Sequence, residues 1–416
     1  MSERKSAREN HGSDYSIHLK ELKKMRKKMA IFLAVIVVVD VIALGIMFFT
    51  RNSSSLDISS NARPGEDPVT TTQTELFSRV SFVAVGDNLI HTPIYNQART
   101  RTSNGYDFSY AYEHFADRIA APDVAILNQE VVISTEHNVS SYPQFNSPVE
   151  LGDEMLKIGF DVFNIATNHS IDCGEKGLIS HINFWKERNA VTCGAYLNRE
   201  DYSNIPMHEV NGVRIAYVGF TQHTNGLSLP EDSEVMLIQA KDETLLQTRI
   251  MDAKEVADIV IVNAHWGNEY THEPTNDQRL LAEKLAIWGA DVIIGTHPHV
   301  IQPVEYIDRP DGGRTLVAYS LGNFISAQNR GPRMLGGALN FDLVLNNTNG
   351  SVAIENVKFS GVVTHYGYNY SNLRIYPLES YTEELASKHG VISHTSDFSL
   401  DYLYDIINSV IDKQFL

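Results

Sequence analysis

The chain has 416 residues, 43% of them hydrophobic and 20% charged, with a formal net charge of −17. That length allows two domains or one large one with a sizeable core, and the composition excludes a disordered chain. The acidic balance argues against a nucleic-acid binder, and two cysteines exclude a four-thiolate zinc site or a disulfide-rich scaffold.

The charge is unevenly spread. Residues 1–29 hold nine Lys or Arg and four Asp or Glu, a net of +5, so the remaining 387 residues carry −22. Residues 30–49 read AIFLAVIVVVDVIALGIMFF, a 20-residue run with Asp40 as its one polar side chain. A helix needs about 20 apolar residues to cross a bilayer core. A carboxylate at mid-membrane costs about 2.5–3.5 kcal/mol, which the other side chains offset. The run is longer than the apolar part of a signal peptide, and Phe48-Phe49-Thr50-Arg51 offers no small-residue cleavage site. The expectation is an uncleaved transmembrane anchor. The basic residues before it place the N-terminus in the cytoplasm and all that follows outside the cell. Residues 50–77, rich in Ser, Thr, Asn, Pro and Gly, read as a flexible linker.

Apolar runs rich in β-branched residues recur from Ser78 onward, at 80–85, 124–127, 162–166, 213–220, 259–264, 292–294 and 315–319. Helical patterns separate several of them, at 149–158, 176–188, 245–257 and 276–288. Strands alternating with helices predict an α/β fold, a layered β-sandwich flanked by helices. Residues 338–345 and 353–359, joined by the turn-rich 346–350, read as an antiparallel pair. Residues 78–370 form the presumed domain, and 371–416 a C-terminal helical extension packed on it, ending in an amphipathic helix over 399–415.

In α/β proteins, sites form at the carboxyl ends of strands. Here those ends carry Gly86-Asp87-Asn88 with His91, Asn128-Gln129-Glu130, Asn168-His169, His265-Trp266-Gly267, His297-Pro298-His299 and Gly322-Asn323. Each cluster alone has an ordinary explanation: Asp87 as a helix cap, Asn168 as a turn residue, a lone histidine as a satisfied polar group. Jointly they point to a divalent metal site, since imidazole, carboxylate and amide oxygen complement one another as ligands. Cys173 and Cys193 could pair outside the membrane, but their spacing does not show that they meet.

These motifs resemble the bacterial capsule-synthesis CapA family, associated with poly-γ-glutamate capsules and similar to calcineurin-like metallophosphoesterases. The matching segments are Val85-Gly86-Asp87, Asn128-Gln129-Glu130, Ala166-Thr167-Asn168-His169 with Asp172, His265-Trp266-Gly267-Asn268-Glu269-Tyr270, Gly295-Thr296-His297-Pro298-His299 and Tyr319-Ser320-Leu321-Gly322-Asn323-Phe324. Thr167 stands where Asn is usual, Gln129 where Leu is usual, and His91 where Arg is frequent. The resemblance implies a metallophosphoesterase-like α/β/β/α fold and two divalent ions (Mn, Fe or Zn). Asp87, Glu130 and His299 would serve one ion, and Asn168, His265 and His297 the other. His169 would be the general acid. Asp172, Glu269 and Asn323 would orient ligands, and Arg330 and Arg333 would bind an anionic substrate.

Two functions follow as expectations. One is a membrane-anchored, metal-dependent phosphoesterase of the cell surface. The other is a non-catalytic subunit that binds or helps export an anionic polymer together with membrane-bound capsule synthase subunits.

Overall fold

The computed structural model describes residues 76–416; the basic N-terminus, the apolar run at 30–49 and the linker up to residue 75 lie outside the described residues. Among the described residues no helix is long and apolar enough to cross a membrane.

The strands in chain order are β1 (Phe77–Asn88), β2 (Val124–Asn128), β3 (Val162–Asn164), β4 (Val191–Cys193), β5 (Ala195–Tyr196), β6 (Met207–Val210), β7 (Val213–Thr221) and β8 (Met236–Leu237). They continue as β9 (Ile259–His265), β10 (Val292–Thr296), β11 (Val304–Asp308), β12 (Arg314–Ala318), β13 (Asn323–Ile325), β14 (Leu335–Asn346), β15 (Val352–His365) and β16 (Arg374–Pro377). One sheet has the order β16-β15-β14-β1-β2-β3-β4, with β13 also paired to β1. The other has the order β11-β12-β10-β9-β7-β6. Both are mixed: β1 to β4 run parallel, as do β13 with β1 and β7, β9, β10 and β12, while the remaining neighbours are antiparallel.

The alternation of side chains explains the layering. In β7, Val213, Ile215 and Tyr217 enter the large core shared with the first sheet. Ala216, Val218 and Phe220 enter a second core with Leu246 and Ile250 of helix Glu243–Val256 and Ala282 and Leu285 of helix Asn276–Trp288. β9 and β10 divide in the same way, with Ile259, Ile261, Val292 and Ile294 on one face and Val260, Val262 and Ile293 on the other. Period-two burial on both faces is the signature of a sheet covered on each side. The first sheet is covered by helices Val149–Lys157 and Gly174–Glu187, which bury Leu151, Met155, Leu178, Ile182 and Trp185. The fold is thus α/β, with helices outside two facing sheets.

The expected boundary at residue 370 does not hold. Residues 374–377 form β16, an edge strand of the first sheet paired with β15 from Val362 to His365. Arg374-Ile375-Tyr376-Pro377 is too short to stand out as a strand in sequence, and pairing supplies the missing signal. Helix Leu400–Val410 then buries Leu403 and Ile407, and Phe415 follows in a separate short helical turn.

Candidate metal centre

The predicted donors converge because parallel pairing aligns strand ends. Asp87 is in register with Asn128 of β2 and with Asn323 of β13. In the second sheet His265, at the end of β9, pairs with Thr296 of β10 and Thr221 of β7. The two sheets therefore bring their carboxyl ends to one place. Gly86 permits this closeness: a Cβ there would lie 1.8 Å from the Gly322 carbonyl oxygen, which accepts from the Asp87 amide at 2.8 Å. A Cβ on Gly295 would likewise lie 2.0 Å from the Tyr319 carbonyl oxygen. Past β10, His297 and His299 adopt positive φ of 97° and 60°. Such conformations cost about 1–3 kcal/mol each in non-glycine residues and persist where the surroundings enforce them.

The structure gathers Asp87, Glu130, Asn168, His265, His297 and His299, all buried. Two donor groups have geometry able to hold an ion: Asp87, Glu130 and His299, and Glu130, His265 and His297. Glu130 is common to both. Neither of its carboxylate oxygens has a hydrogen-bond partner, nor does His297 Nδ1. Glu130 Oε1 lies 3.9 Å from His265 Nε2 and 3.8 Å from His299 Nε2. Burial, followed by the neighbouring Asp87 charge, pushes the Glu130 carboxyl well above the usual range. Burial holds His265 and His297 well below the ordinary imidazole value, with each neighbouring imidazole adding to the effect. Neutral imidazoles, one of them with an unpartnered nitrogen, around an unsatisfied carboxylate are the donor set a divalent cation completes.

Other contacts fix the orientation of each ring. His299 Nδ1 faces two oxygens, Asp87 Oδ2 and Asn323 Oδ1, each at 3.1 Å. Nδ1 therefore carries the hydrogen, and Nε2 keeps its lone pair for a ligand. His265 Nδ1 is 3.1 Å from Thr296 Oγ1, and its Nε2 is 2.9 Å from Asn168 Oδ1. Asn128 donates to Asp87 Oδ1 at 2.8 Å.

Some expected roles change. Asp172 meets no ligand imidazole; its Oδ2 pairs with His169 Nδ1 at 2.7 Å and accepts from the Phe145 amide at 2.7 Å. It orients His169 instead. Glu269 stands 3.9 Å from His299 Nε2, outside hydrogen-bond reach, and is partly open to solvent. His91 belongs to another contact set: its Nδ1 accepts from the Ala327 amide at 3.2 Å, and its ring packs edge-on against Phe145. Arg330 is exposed and donates to the Asn329 carbonyl, whereas Arg333 stacks on Tyr270. Cys173 and Cys193 are free. Cys193 is buried near Asn164 and Asn263, while Cys173 lies against the Phe145 carbonyl.

The sequence motifs include Asn128 and Thr296 without giving them a role, and they leave out His223. The His223 ring packs edge-on against His297 with centres 4.9 Å apart. A signal for it existed: Thr221-Gln222-His223 follows an apolar run just as the other clusters do.

A family model described as bacterial capsule synthesis protein PGA_cap matches residues 81–328. The chain belongs to this family. CapA, a capsule biosynthesis protein of Bacillus anthracis, is 33% identical over 235 residues, which are 54% of this chain and 56% of that one. The PGA biosynthesis protein CapA of Bacillus subtilis strain 168 is 34% identical over 215 residues, 50% of this chain and 54% of that one. The chain thus spans about half the length of these curated relatives. Among solved structures, a phosphatase of Mycoplasma pneumoniae aligns with a TM-score of 0.41 and 13% identity, covering 69% of this chain and 94% of that one. The NAD nucleotidase NadN of Haemophilus influenzae aligns with a TM-score of 0.40 and 13% identity, covering 80% and 60%. The six candidate metal donors and His169 all lie within the span matched by the PGA_cap model; Arg330 and Arg333 lie just beyond it.

Proposed function

We propose that this PGA_cap member is a membrane-anchored protein of the cell surface that acts in capsule biosynthesis through a two-metal, phosphoesterase-type site. The observation that carries the metal reading is the shared, hydrogen-bond-free Glu130 carboxylate between the two donor groups. The family and the names of its curated relatives support the capsule role. In this reading Asp87, Glu130 and His299 hold one ion. His265, His297 and Asn168 would hold the other, and Glu130 belongs to both donor groups. Divalent ions supply, when bound, polarisation of a phosphoryl oxygen and a lower pKa for water.

The chain's own residues do the rest. Asp87 and Asn323 fix the His299 ring, and Thr296 fixes that of His265. Asp172 holds His169 Nδ1 and leaves Nε2 to protonate a leaving oxygen. Phe145 packs edge-on against the same ring at 4.8 Å and shields that pair from water. The substrate is an anionic polymer or phosphoester, and the working partners are capsule synthase subunits in the same membrane. The run at 30–49 is the anchor, with residues 1–29 in the cytoplasm.

The test uses the full chain purified in detergent. Bound metal is measured, and phosphodiester and phosphomonoester hydrolysis are assayed for the wild type, His265→Ala and His297→Ala. Stoichiometric metal with turnover, both lost in the variants, is the expected result. Stoichiometric metal with no turnover, and capsule loss in both variants, would instead favour the non-catalytic polymer-binding subunit. A wild-type chain that binds no divalent ion rules out the site. Protease added to intact cells is expected to digest the domain, and full protection would refute the orientation.

A further inference from the structure

Arg333 carries its guanidinium 3.4 Å from the centre of the Tyr270 ring. That ring is inclined 29° to the His299 imidazole, with centres 5.8 Å apart. Asn323 ties the same group together: its Oδ1 is 3.1 Å from His299 Nδ1, and its Nδ2 donates to the Arg333 carbonyl at 3.1 Å. The guanidinium is thereby held at the rim of the donor cluster, one aromatic ring away from a candidate ligand.

Stacking uses only the face of a guanidinium and leaves its N–H edge free to bind. Among the described residues that edge finds no acceptor and no ion-pair partner. Other arginines of this acidic chain behave differently: Arg79, Arg188, Arg214 and Arg309 each meet a carboxylate. The rim also carries Glu269, 3.9 Å from His299 Nε2, whose charge favours the Arg333 cation without pairing with it directly. A flat fork of donors, braced on an aromatic ring beside a metal-type site, matches the oxygens of a phosphate or carboxylate.

We infer that Arg333, held on Tyr270, forms an anion subsite that selects substrates bearing a second oxyanion beside the phosphoester at the donor cluster. This rests on the phosphoesterase reading and narrows it: the substrate is polyanionic, and its second charge is a phosphate or a carboxylate. Arg330 has no such bracing and plays no part in the selection.

The test compares three 4-nitrophenyl phosphodiesters whose second alcohol ends in a methyl, a carboxylate or a phosphate group. They are assayed with the manganese-loaded full chain. The wild type is expected to show a lower KM for one or both charged esters than for the methyl ester, and the better of them names the oxyanion. Arg333→Gln should raise the KM of the charged esters about 10- to 100-fold. It should raise the KM of the methyl ester far less, so that the preference for the charged esters is lost. Arg333→Lys, which keeps the charge but loses the flat fork, should recover part of the preference. Equal KM changes for all three esters, or no change for any, would overturn the inference. If the wild type hydrolyses none of them, the phosphoesterase reading fails, and equilibrium binding of the same esters decides the subsite. Binding of the charged esters at least tenfold weaker in Arg333→Gln supports it, and equal binding overturns it.

Discussion

Glu130 is buried with both carboxylate oxygens lacking a hydrogen-bond donor, an arrangement that costs stability unless a cation enters. Glu130→Gln should therefore act in opposite directions with and without metal. Thermal denaturation of the metal-free full chain should show the variant more stable, by about 1 kcal/mol or more. Metal at a hundred times its Kd stabilises a native state by about 2.7 kcal/mol, and most of that gain should vanish in the variant. A wild type unmoved by metal would sink the prediction. A second residue sets the pH response. His181 is buried against Trp185, and desolvation pushes its imidazole down to about 4. The unfolded chain takes up that proton near pH 6.5. Between these values the unfolded state binds more protons, so stability is full above about pH 6.5 and falls as the pH drops toward 4. The slope from His181 is up to about 1.4 kcal/mol per unit. His365, pushed to about 4, and His389, pushed to about 3, add to the same acid-side loss. His181→Asn keeps an acceptor for the Ile133 amide and should flatten urea-unfolding stability across pH 4–6.5 by one proton's worth; an unchanged slope would refute the assignment.

Close approach of backbone is the governing fact among the elements. Gly86 in β1 lies against the Leu321–Asn323 turn, where any Cβ meets a carbonyl oxygen. Gly86→Ala should destabilise the full chain by about 1–3 kcal/mol or more. It should also weaken metal binding, because the Asp87 amide is anchored to the Gly322 carbonyl. Unaltered melting would show that the strands separate at no cost. The elements also show what sequence could and could not reveal. Long apolar runs such as 213–220 and 259–264 announced their strands, and the polar residues after them announced the donors. The sharing of Glu130 was not legible, because it depends on which strand ends sit opposite across two sheets. Tyr270 and Arg333 meet only through chain folding, 63 positions apart. The partner of Asp172 was not legible either, because three-residue spacing on a turn brings it to His169, not to a metal-binding ring.

At the scale of the whole molecule, residues 30–416 carry a net −22, and a cation at the centre would offset some of it. The donors also divide by origin. Asp87, Glu130 and Asn168 lie at or beyond the ends of strands of one sheet, while His265, His297 and His299 lie at or beyond those of the other. A cation among them would therefore be a rivet across the seam between the sheets, where the Asp87 carboxylate already accepts from the His297 amide at 3.3 Å. Chelation should loosen that seam first and leave the far ends of both sheets unmoved. Hydrogen exchange should speed up at the amides of residues 87, 297 and 299 long before it does at 80–83 or 259–262, and a uniform response would show that nothing is riveted there.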